Sequence, residues 1–178
     1  DTQTPQGILT ILEQPSYELE QLLKQPDPLF LILENLQDPG NLGTMIRTGE
    51  GAGITGVIMN NQTVDIFNPK TIRATMGSIF RVPFVYVPEL SPVLTQMHEK
   101  GIHTYAAHLK GEKYYDSFSF REPTAFLIGN EGNGLSREIS DQAGQYLKIP
   151  MEGKVESLNA SIAAALLMYE AHRQRSTK

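Results

Sequence analysis

The amino-acid sequence predicts an α/β fold whose mostly parallel sheet is flanked by helices. Short apolar runs alternate with longer helical segments, which is the order expected for a parallel α/β sheet. Several runs, such as Leu29–Leu33, are apolar at every position, and this is typical of strands buried on both faces. The predicted strands are Leu29–Leu33, Gly56–Met59, Val82–Val87, His103–Ala107, Thr124–Ile128 and Tyr146–Ile149.

Start and stop signals define the helices between these strands. Asn68 is a good capping residue, and Pro69 after it suits the first position of a helix. Gly51 and Gly53 are good stop residues, and Gly77 is expected in the left-handed conformation that ends a helix. The predicted helices are Glu18–Lys24, Asn41–Ala52, Pro69–Thr75, Ser91–Lys100, Ser136–Ala143 and Asn159–Arg175.

The chain divides into an N-terminal arm and one folded domain. Residues 1–28 are polar and rich in proline, so we expect a linker or arm with one short helix. The apolar run Gly7–Leu12 inside it is either an edge strand or a docking segment. Residues 29–178 form a single domain without internal repeats or low-complexity tracts.

Composition excludes several classes of site. The 178 residues include no cysteine, so disulfides, thiolate metal sites and cysteine nucleophiles are excluded. The four histidines show no metal-ligand spacing, and we expect no metal. No apolar run approaches the length of a membrane helix, and no signal peptide is recognisable. We therefore expect a cytoplasmic protein without a membrane segment.

The net charge of −5 does not suggest a broad nucleic-acid-binding surface, since such surfaces are usually basic. It leaves room for a local basic patch, and the candidate residues are Arg47, Lys70, Arg73 and Arg81.

Three short polar motifs follow predicted strands. The first motif is 35–47, the second motif is 128–136 and the third motif is 149–160, and each combines glycines and amides with an apolar run. Ligands bind at the carboxyl ends of strands in parallel sheets. We therefore expect the three motifs to form one shared site.

The second motif contains Gly129, Glu131 and Gly134. Its glycines permit close approach of backbone to a ligand. It matches neither the dinucleotide nor the P-loop pattern. Glu131 would repel a phosphate, which favours a ligand with hydroxyls or a positive centre. The alternative is an ordinary glycine-rich turn.

The polar residues of the other motifs also have structural alternatives. Arg47 could bind a phosphate, or it could form a surface ion pair with Glu50. Asn41 could simply cap its helix. Ser157 or Asn159 could likewise cap the last helix, although the loop before them is longer than a cap requires.

At these residues the sequence resembles the SpoU (TrmH-like) RNA 2′-O-ribose methyltransferases of the SPOUT superfamily. The resemblance extends from about Leu29 to Arg175, and the segment Arg73–Gly77 is similar to the family's intervening segment. The motif positions that carry it are Asn41, Arg47, Gly129, Glu131, Gly134, Ser136, Pro150, Ser157 and Asn159.

The resemblance implies a fold, a cofactor and partners. It implies a methyltransferase catalytic domain at 29–178 with a deep C-terminal trefoil knot, S-adenosylmethionine bound at the knot, and a homodimer that completes the site. We expect ribosomal RNA rather than transfer RNA as the substrate, and many relatives carry an upstream RNA-binding domain. We therefore expect this chain to be the catalytic part of a longer protein.

The resemblance also implies roles for individual residues. Arg47 would help to activate the ribose hydroxyl. Because arginine rarely loses its proton, we expect it to orient a phosphate rather than to act as a base. The expected catalytic residues are Arg47, Asn41, Glu131, Ser157 and Asn159. The expected cofactor-binding residues are Leu109, Gly111, Gly129, Asn130, Glu131, Gly134, Ile149, Pro150, Met151, Ser157, Leu158 and Asn159.

Two other functions stay open. One is a paralogue that keeps the cofactor or RNA site without transferring methyl groups. The other is a nucleotide-binding α/β enzyme of a different class, which would bind ATP or NAD without preferring the methyl donor.

Overall fold

A parallel sheet forms the centre of the computed structural model, which describes residues 7, 10–155 and 157–176. Within these residues the sheet has seven strands in the order β3-β2-β1-β6-β4-β7-β5, and all pairs are parallel. This confirms the predicted α/β class and its parallel sheet. The strands are β1 Leu29–Leu33, β2 Gly56–Asn60, β3 Phe84–Val87, β4 His103–Ala107, β5 Lys113–Tyr114, β6 Thr124–Ile128 and β7 Gln145–Lys148.

Helices cover both faces of the sheet. Two short 3-10 segments, at Ser78–Phe80 and Tyr115–Ser117, accompany them. Among the described residues, no helix is long and apolar enough to cross a membrane. The helices are α1 Leu19–Leu22, α2 Pro39–Ala52, α3 Pro69–Thr75, α4 Ser91–Glu99, α5 Arg137–Gln142 and α6 Ala160–Ser176.

The central strand β1 contributes side chains to two separate apolar cores. Leu29, Leu31 and Leu33 pack in one core with residues of α2 and α6. Phe30 and Ile32 pack in the other core with residues of α4 and α5. All five side chains are almost completely buried. Burial contributes about 1.5–3 kcal/mol for each such side chain, which explains why the strand is apolar throughout.

Several helix and strand boundaries differ from the prediction by one to three residues. Helix α2 begins at Pro39 because Asp38, not Asn41, is its cap: the Asp38 carboxylate accepts from Asn41 N at 2.8 Å. The third strand begins after Pro83, which lacks an N–H to donate. The seventh strand is shifted by one residue, to Gln145–Lys148. Gly77 is left-handed as predicted, with φ of 90°.

One strand was not predicted, and two N-terminal predictions differ from the structure. Strand β5 has only two residues, both exposed, and it exists through pairing with β7. The N-terminal helix is four residues long, shorter than the predicted Glu18–Lys24. Part of the apolar run Gly7–Leu12 lies outside the described residues, and its described positions 10–12 are not in a strand.

The end of α6 is tied to the loop that precedes β6. Gln174 accepts from Phe120 N at 2.7 Å and donates to Phe118 O at 2.9 Å. The Arg175 guanidinium donates to four backbone carbonyls. These carbonyls belong to Asp27, Pro28, Phe120 and Glu122. The last helix is thereby fixed against the segments that lead into β1 and β6.

Candidate active site

A cavity of about 350 Å³ lies at the carboxyl ends of β4, β6 and β7, beside the start of α6. Its wall combines apolar side chains with the glycine-rich second motif. The lining residues are Ala107, His108, Leu109, Ile128, Gly129, Asn130, Glu131, Gly132, Asn133, Gly134, Leu135, Leu147, Lys148, Ile149, Met151, Ser157, Leu158, Ala160 and Ala163.

The second motif is folded back on itself along one wall of this cavity. Asn130 and Gly134 exchange two backbone hydrogen bonds, of 3.0 and 2.9 Å. Gly129 packs so closely that a Cβ there would lie 2.1 Å from the backbone of Gly134 and Leu135. Only glycine can occupy this position without moving the loop.

Glu131 connects the second motif to the first. Its carboxylate accepts from Gln37 N at 3.0 Å, from Asp38 N at 2.8 Å and from Asn41 Nδ2 at 3.1 Å. Burial on its own would raise the pKa of this carboxyl, but the three donors outweigh it and lower the pKa below its usual 4.5. Glu131 is therefore an ionised group that holds the start of α2.

Asn159 connects the third motif to the first. Its Nδ2 donates to Asn41 Oδ1 at 3.0 Å. Its Oδ1 accepts from Ser161 N at 2.8 Å and lies 3.4 Å from Ile162 N, so the same side chain caps α6. The three motifs thus meet in one chain of hydrogen bonds, from Glu131 through Asn41 to Asn159.

Arg47 is exposed on α2, and its side chain makes no hydrogen bond or ion pair within the described part of the chain. The alternative of an ion pair with Glu50 is wrong, because Glu50 is bound by Arg81. Of the other basic candidates, Lys70 lies 3.4 Å from Asp38 and Arg73 is exposed on α3. The guanidinium of Arg47 is therefore available to an external anion.

Most residues expected to bind the cofactor line the cavity. Nine of the twelve do so: Leu109, Gly129, Asn130, Glu131, Gly134, Ile149, Met151, Ser157 and Leu158.

The other three lie beside the cavity. Gly111 packs against the β7 backbone, where a Cβ would lie 2.8 Å from Leu147 C. Pro150 and Asn159 flank lining residues. Arg47 and Asn41, both on α2, do not line the cavity either.

Sequence reasoning missed several lining residues, among them His108 and Lys148. The resemblance implied only their neighbours Leu109 and Ile149. The signal that could have found them is position at the carboxyl end of a strand, which is β4 for His108 and β7 for Lys148. The His108 ring stacks on Tyr146, with ring centres 4.9 Å apart. Among the described residues, no group of three or more His, Asp or Glu side chains could hold a metal ion.

Comparison with known proteins shows the family. The family model of the SpoU rRNA methylases matches residues 28–169. The 23S rRNA (guanosine(2553)-2′-O)-methyltransferase RlmP of Bacillus subtilis is 36% identical over 169 residues, which are 95% of this chain and 66% of the relative.

Solved structures agree with this match. The SpoU methyltransferase AviRb from Streptomyces viridochromogenes, in complex with AdoMet, aligns with a TM-score of 0.85 and 33% identity over 93% of this chain and 64% of its own. The AdoMet-bound rRNA methyltransferase from Sinorhizobium meliloti aligns with a TM-score of 0.83 and 35% identity, covering 90% and 62%. The chain spans about two thirds of the length of these relatives. With a family model across most of its length, the chain belongs to the SpoU rRNA methylase family.

Proposed function

We propose that this chain transfers a methyl group from S-adenosylmethionine to a ribose 2′-hydroxyl of ribosomal RNA. The observation that carries the proposal is the bonded cluster of Asn41, Glu131 and Asn159, which joins the cavity wall to α2, the helix that also carries Arg47. Membership of the SpoU family, and the ribosomal RNA substrate in the name of the Bacillus relative, support it.

The cavity suits the methyl donor in size and chemistry. Small-molecule pockets are roughly 300–1,000 Å³ and mostly apolar, with a few placed polar groups. Here Leu109, Ile149 and Leu158 offer apolar contact for a flat base, while the glycines of the second motif let a ligand approach its backbone closely. When bound, S-adenosylmethionine supplies an electrophilic methyl group on a positively charged sulfonium.

Arg47 binds the RNA and orients the reacting ribose. A guanidinium is permanently charged and binds phosphate through two parallel hydrogen bonds. Its position on α2, six residues after Asn41, places that phosphate contact on the helix that the polar cluster holds. Alignment of the hydroxyl with the methyl group accounts for much of the rate of such a transfer.

Glu131 positions other groups rather than removing the proton. Both of its oxygens already accept hydrogen bonds and its pKa is lowered, so it is a weak base. Its negative charge on the cavity wall is compatible with a cationic ligand. Ser157 lines the cavity without a hydrogen-bond partner among the described residues, so its hydroxyl is free to contact substrate or cofactor.

The proposal includes a deep trefoil knot in the C-terminal segment and a homodimer. An apolar surface on α6 supports the dimer, because Ile162, Leu166 and Tyr169 are 49%, 37% and 49% exposed. These side chains and Tyr115 line a shallow depression that a second copy would cover. A strict monomer in light scattering at micromolar concentrations would contradict the dimer. The proposal also includes a cytoplasmic location, because ribosomal RNA is the proposed substrate.

A transfer assay tests the proposed activity. The protein is incubated with methyl-labelled S-adenosylmethionine and either ribosomal or transfer RNA. Label on a ribose 2′-oxygen is identified because the adjacent phosphodiester bond then resists alkaline hydrolysis. We expect label in ribosomal RNA, lowered at least about tenfold by Arg47→Ala through loss of a charged hydrogen bond. Lys100→Ala is the control, because Lys100 is exposed at the end of α4, just before the amino end of β4, whereas the cavity lies at the carboxyl ends of the strands.

Two results would count against this account. Label in transfer RNA alone would contradict the ribosomal assignment. Equal transfer by wild type and Arg47→Ala would contradict the role of Arg47.

A further inference from the structure

Asn60, at the end of β2, lies outside the three motifs and does not line the cavity. Its side chain is nevertheless buried, at 7% exposed, and both of its polar atoms are hydrogen-bonded. Its Oδ1 accepts from Asn35 N at 2.9 Å and its Nδ2 donates to Asn35 Oδ1 at 2.7 Å. The same Oδ1 accepts from the Thr63 hydroxyl at 2.9 Å. A buried amide with this many partners holds its neighbours in one arrangement.

The partner of Asn60 has an unusual backbone conformation. Asn35 has φ of 55°, the left-handed region that residues other than glycine rarely adopt. Asparagine tolerates this region better than most residues, but the conformation still needs support from its surroundings. The reciprocal bonds with Asn60 supply that support on both the backbone and the side chain of Asn35.

The conformation of Asn35 determines where its carbonyl points. That carbonyl accepts from Asn130 Nδ2 at 2.9 Å and from Gln37 Nε2 at 3.0 Å. With its Nδ2 held there, Asn130 presents its Oδ1 to Gly132 N at 2.9 Å and to Asn133 N at 3.0 Å. A continuous chain of bonds therefore runs from β2, across the end of β1, into the cavity wall.

We propose that Asn60 is a positioning residue that acts through Asn35 on Asn130 and so holds the loop 129–134 in its ligand-binding shape. The kinetic part of this inference rests on the proposed function, since it concerns affinity for the methyl donor. The structural part does not, because it concerns the order of the loop itself.

The substitution Asn60→Asp tests the proposal. It keeps the oxygen that accepts from Asn35 N and replaces the donor by an anionic oxygen facing Asn35 Oδ1. We expect the dissociation constant and KM for S-adenosylmethionine to rise about tenfold, with a smaller change in kcat. The control Thr63→Val removes a buried hydroxyl from the same Asn60 oxygen but leaves the Asn35 pair intact, so affinity should stay near wild type.

Two substitutions of Asn35 provide a second test of the proposal. Asn35→Ala should weaken binding, because alanine resists positive φ, whereas Asn35→Gly should recover part of the affinity, because glycine adopts φ of 55° freely. If only the side-chain bond to Asn60 mattered, alanine and glycine would bind equally weakly, because both lack that side chain. Equal affinity of Asn60→Asp and wild type would overturn the proposal.

Amide hydrogen exchange separates this inference from the proposed function. In Asn60→Asp, but not in Thr63→Val, the Gly132 and Asn133 amides should exchange about tenfold faster without any ligand. If the wild type binds no S-adenosylmethionine, the proposed function fails while this readout still decides the role of Asn60. Unchanged exchange at both amides would overturn the inference even if binding is intact.

Discussion

The side-chain amide of Asn159 donates a hydrogen bond to Asn41 Oδ1 at 3.0 Å and so joins the last helix to the first motif. The other atom of the same amide caps α6 through Ser161 N. Asn41 in turn donates to Glu131, so each amide has one possible orientation. Asn159 thus both caps α6 and helps to arrange the polar side chains of the site.

These two roles of Asn159 can be separated by substitution. Asn159→Asp keeps a good capping oxygen but loses the donor to Asn41, so we expect stability near wild type and a clear loss of methyl transfer. Asn159→Ala loses both and should also lower the free energy of unfolding by about 1 kcal/mol. Urea denaturation and the transfer assay measure the two effects. Full activity of Asn159→Asp would show that the bond to Asn41 has no function.

The lowered pKa of Glu131 predicts that the free energy of unfolding depends on pH. Its pKa is lowered below 4.5 in the folded protein, so its bonds stabilise the fold above that value and are lost as the pH falls through the lower, folded-state pKa. Glu131→Gln should therefore be less stable than wild type at pH 7, by about 1 kcal/mol after solvent screening. The difference should shrink below pH 4.5.

Thermal unfolding of both proteins between neutral and acidic pH measures this difference. Glu89→Gln is the control, since Glu89 is exposed and has no hydrogen bond among the described residues. A gap between wild type and Glu131→Gln that stays constant with pH would contradict the ionised, hydrogen-bonded state of Glu131.

Two glycines of the second motif should respond differently to alanine. At Gly129 a Cβ would lie 2.1 Å from backbone atoms of Gly134 and Leu135, so Gly129→Ala must open the loop. At Gly132 the nearest atom is Asn130 Oδ1 at 3.6 Å, an ordinary contact. We expect Gly129→Ala to abolish measurable binding of the methyl donor and Gly132→Ala to bind within about threefold of wild type. Similar affinities for both variants would contradict the observed loop geometry.

Arg175 should contribute strongly to stability. Its guanidinium, partly buried, donates to four backbone carbonyls that precede β1 and β6. Arg175→Ala leaves these carbonyls without their charged donor and should cost at least about 2 kcal/mol in the free energy of unfolding. Arg173→Ala, which removes a mostly exposed partner of Glu170, should cost less than about 1 kcal/mol. Equal costs in denaturant titrations would show that the Arg175 contacts do not hold the helix end.

The elements that could be predicted from sequence are those with a strong local pattern. Leu29–Leu33 and Thr124–Ile128 are apolar at nearly every position, and both are central strands with the predicted bounds. Strand β5 could not be predicted, because its two residues are exposed and depend on pairing with β7. The start of α2 was misplaced because Asn41 and Asp38 are both good caps, and the proline after Asp38 decides between them.

For the site, the rule that ligands bind at the carboxyl ends of strands was enough to bring the three motifs together. It could not identify His108 or Lys148, which line the cavity because of where their backbone runs. It also could not identify Asn60, a single polar residue at a strand end, because its partner Asn35 lies 25 positions away in the sequence. Long-range hydrogen bonds of this kind leave no local pattern in a sequence.

A calorimetric titration of the protein with S-adenosylmethionine tests whether the cavity binds the methyl donor, with S-adenosylhomocysteine, ATP and NAD titrated in parallel. The proposed function predicts saturable binding of the two methionine-derived ligands and none of ATP or NAD, with the Gly129→Ala variant binding none of the four. Binding of ATP or NAD in preference to the methyl donor, or no binding by the folded wild type, would contradict the claim that this cavity holds the methyl donor.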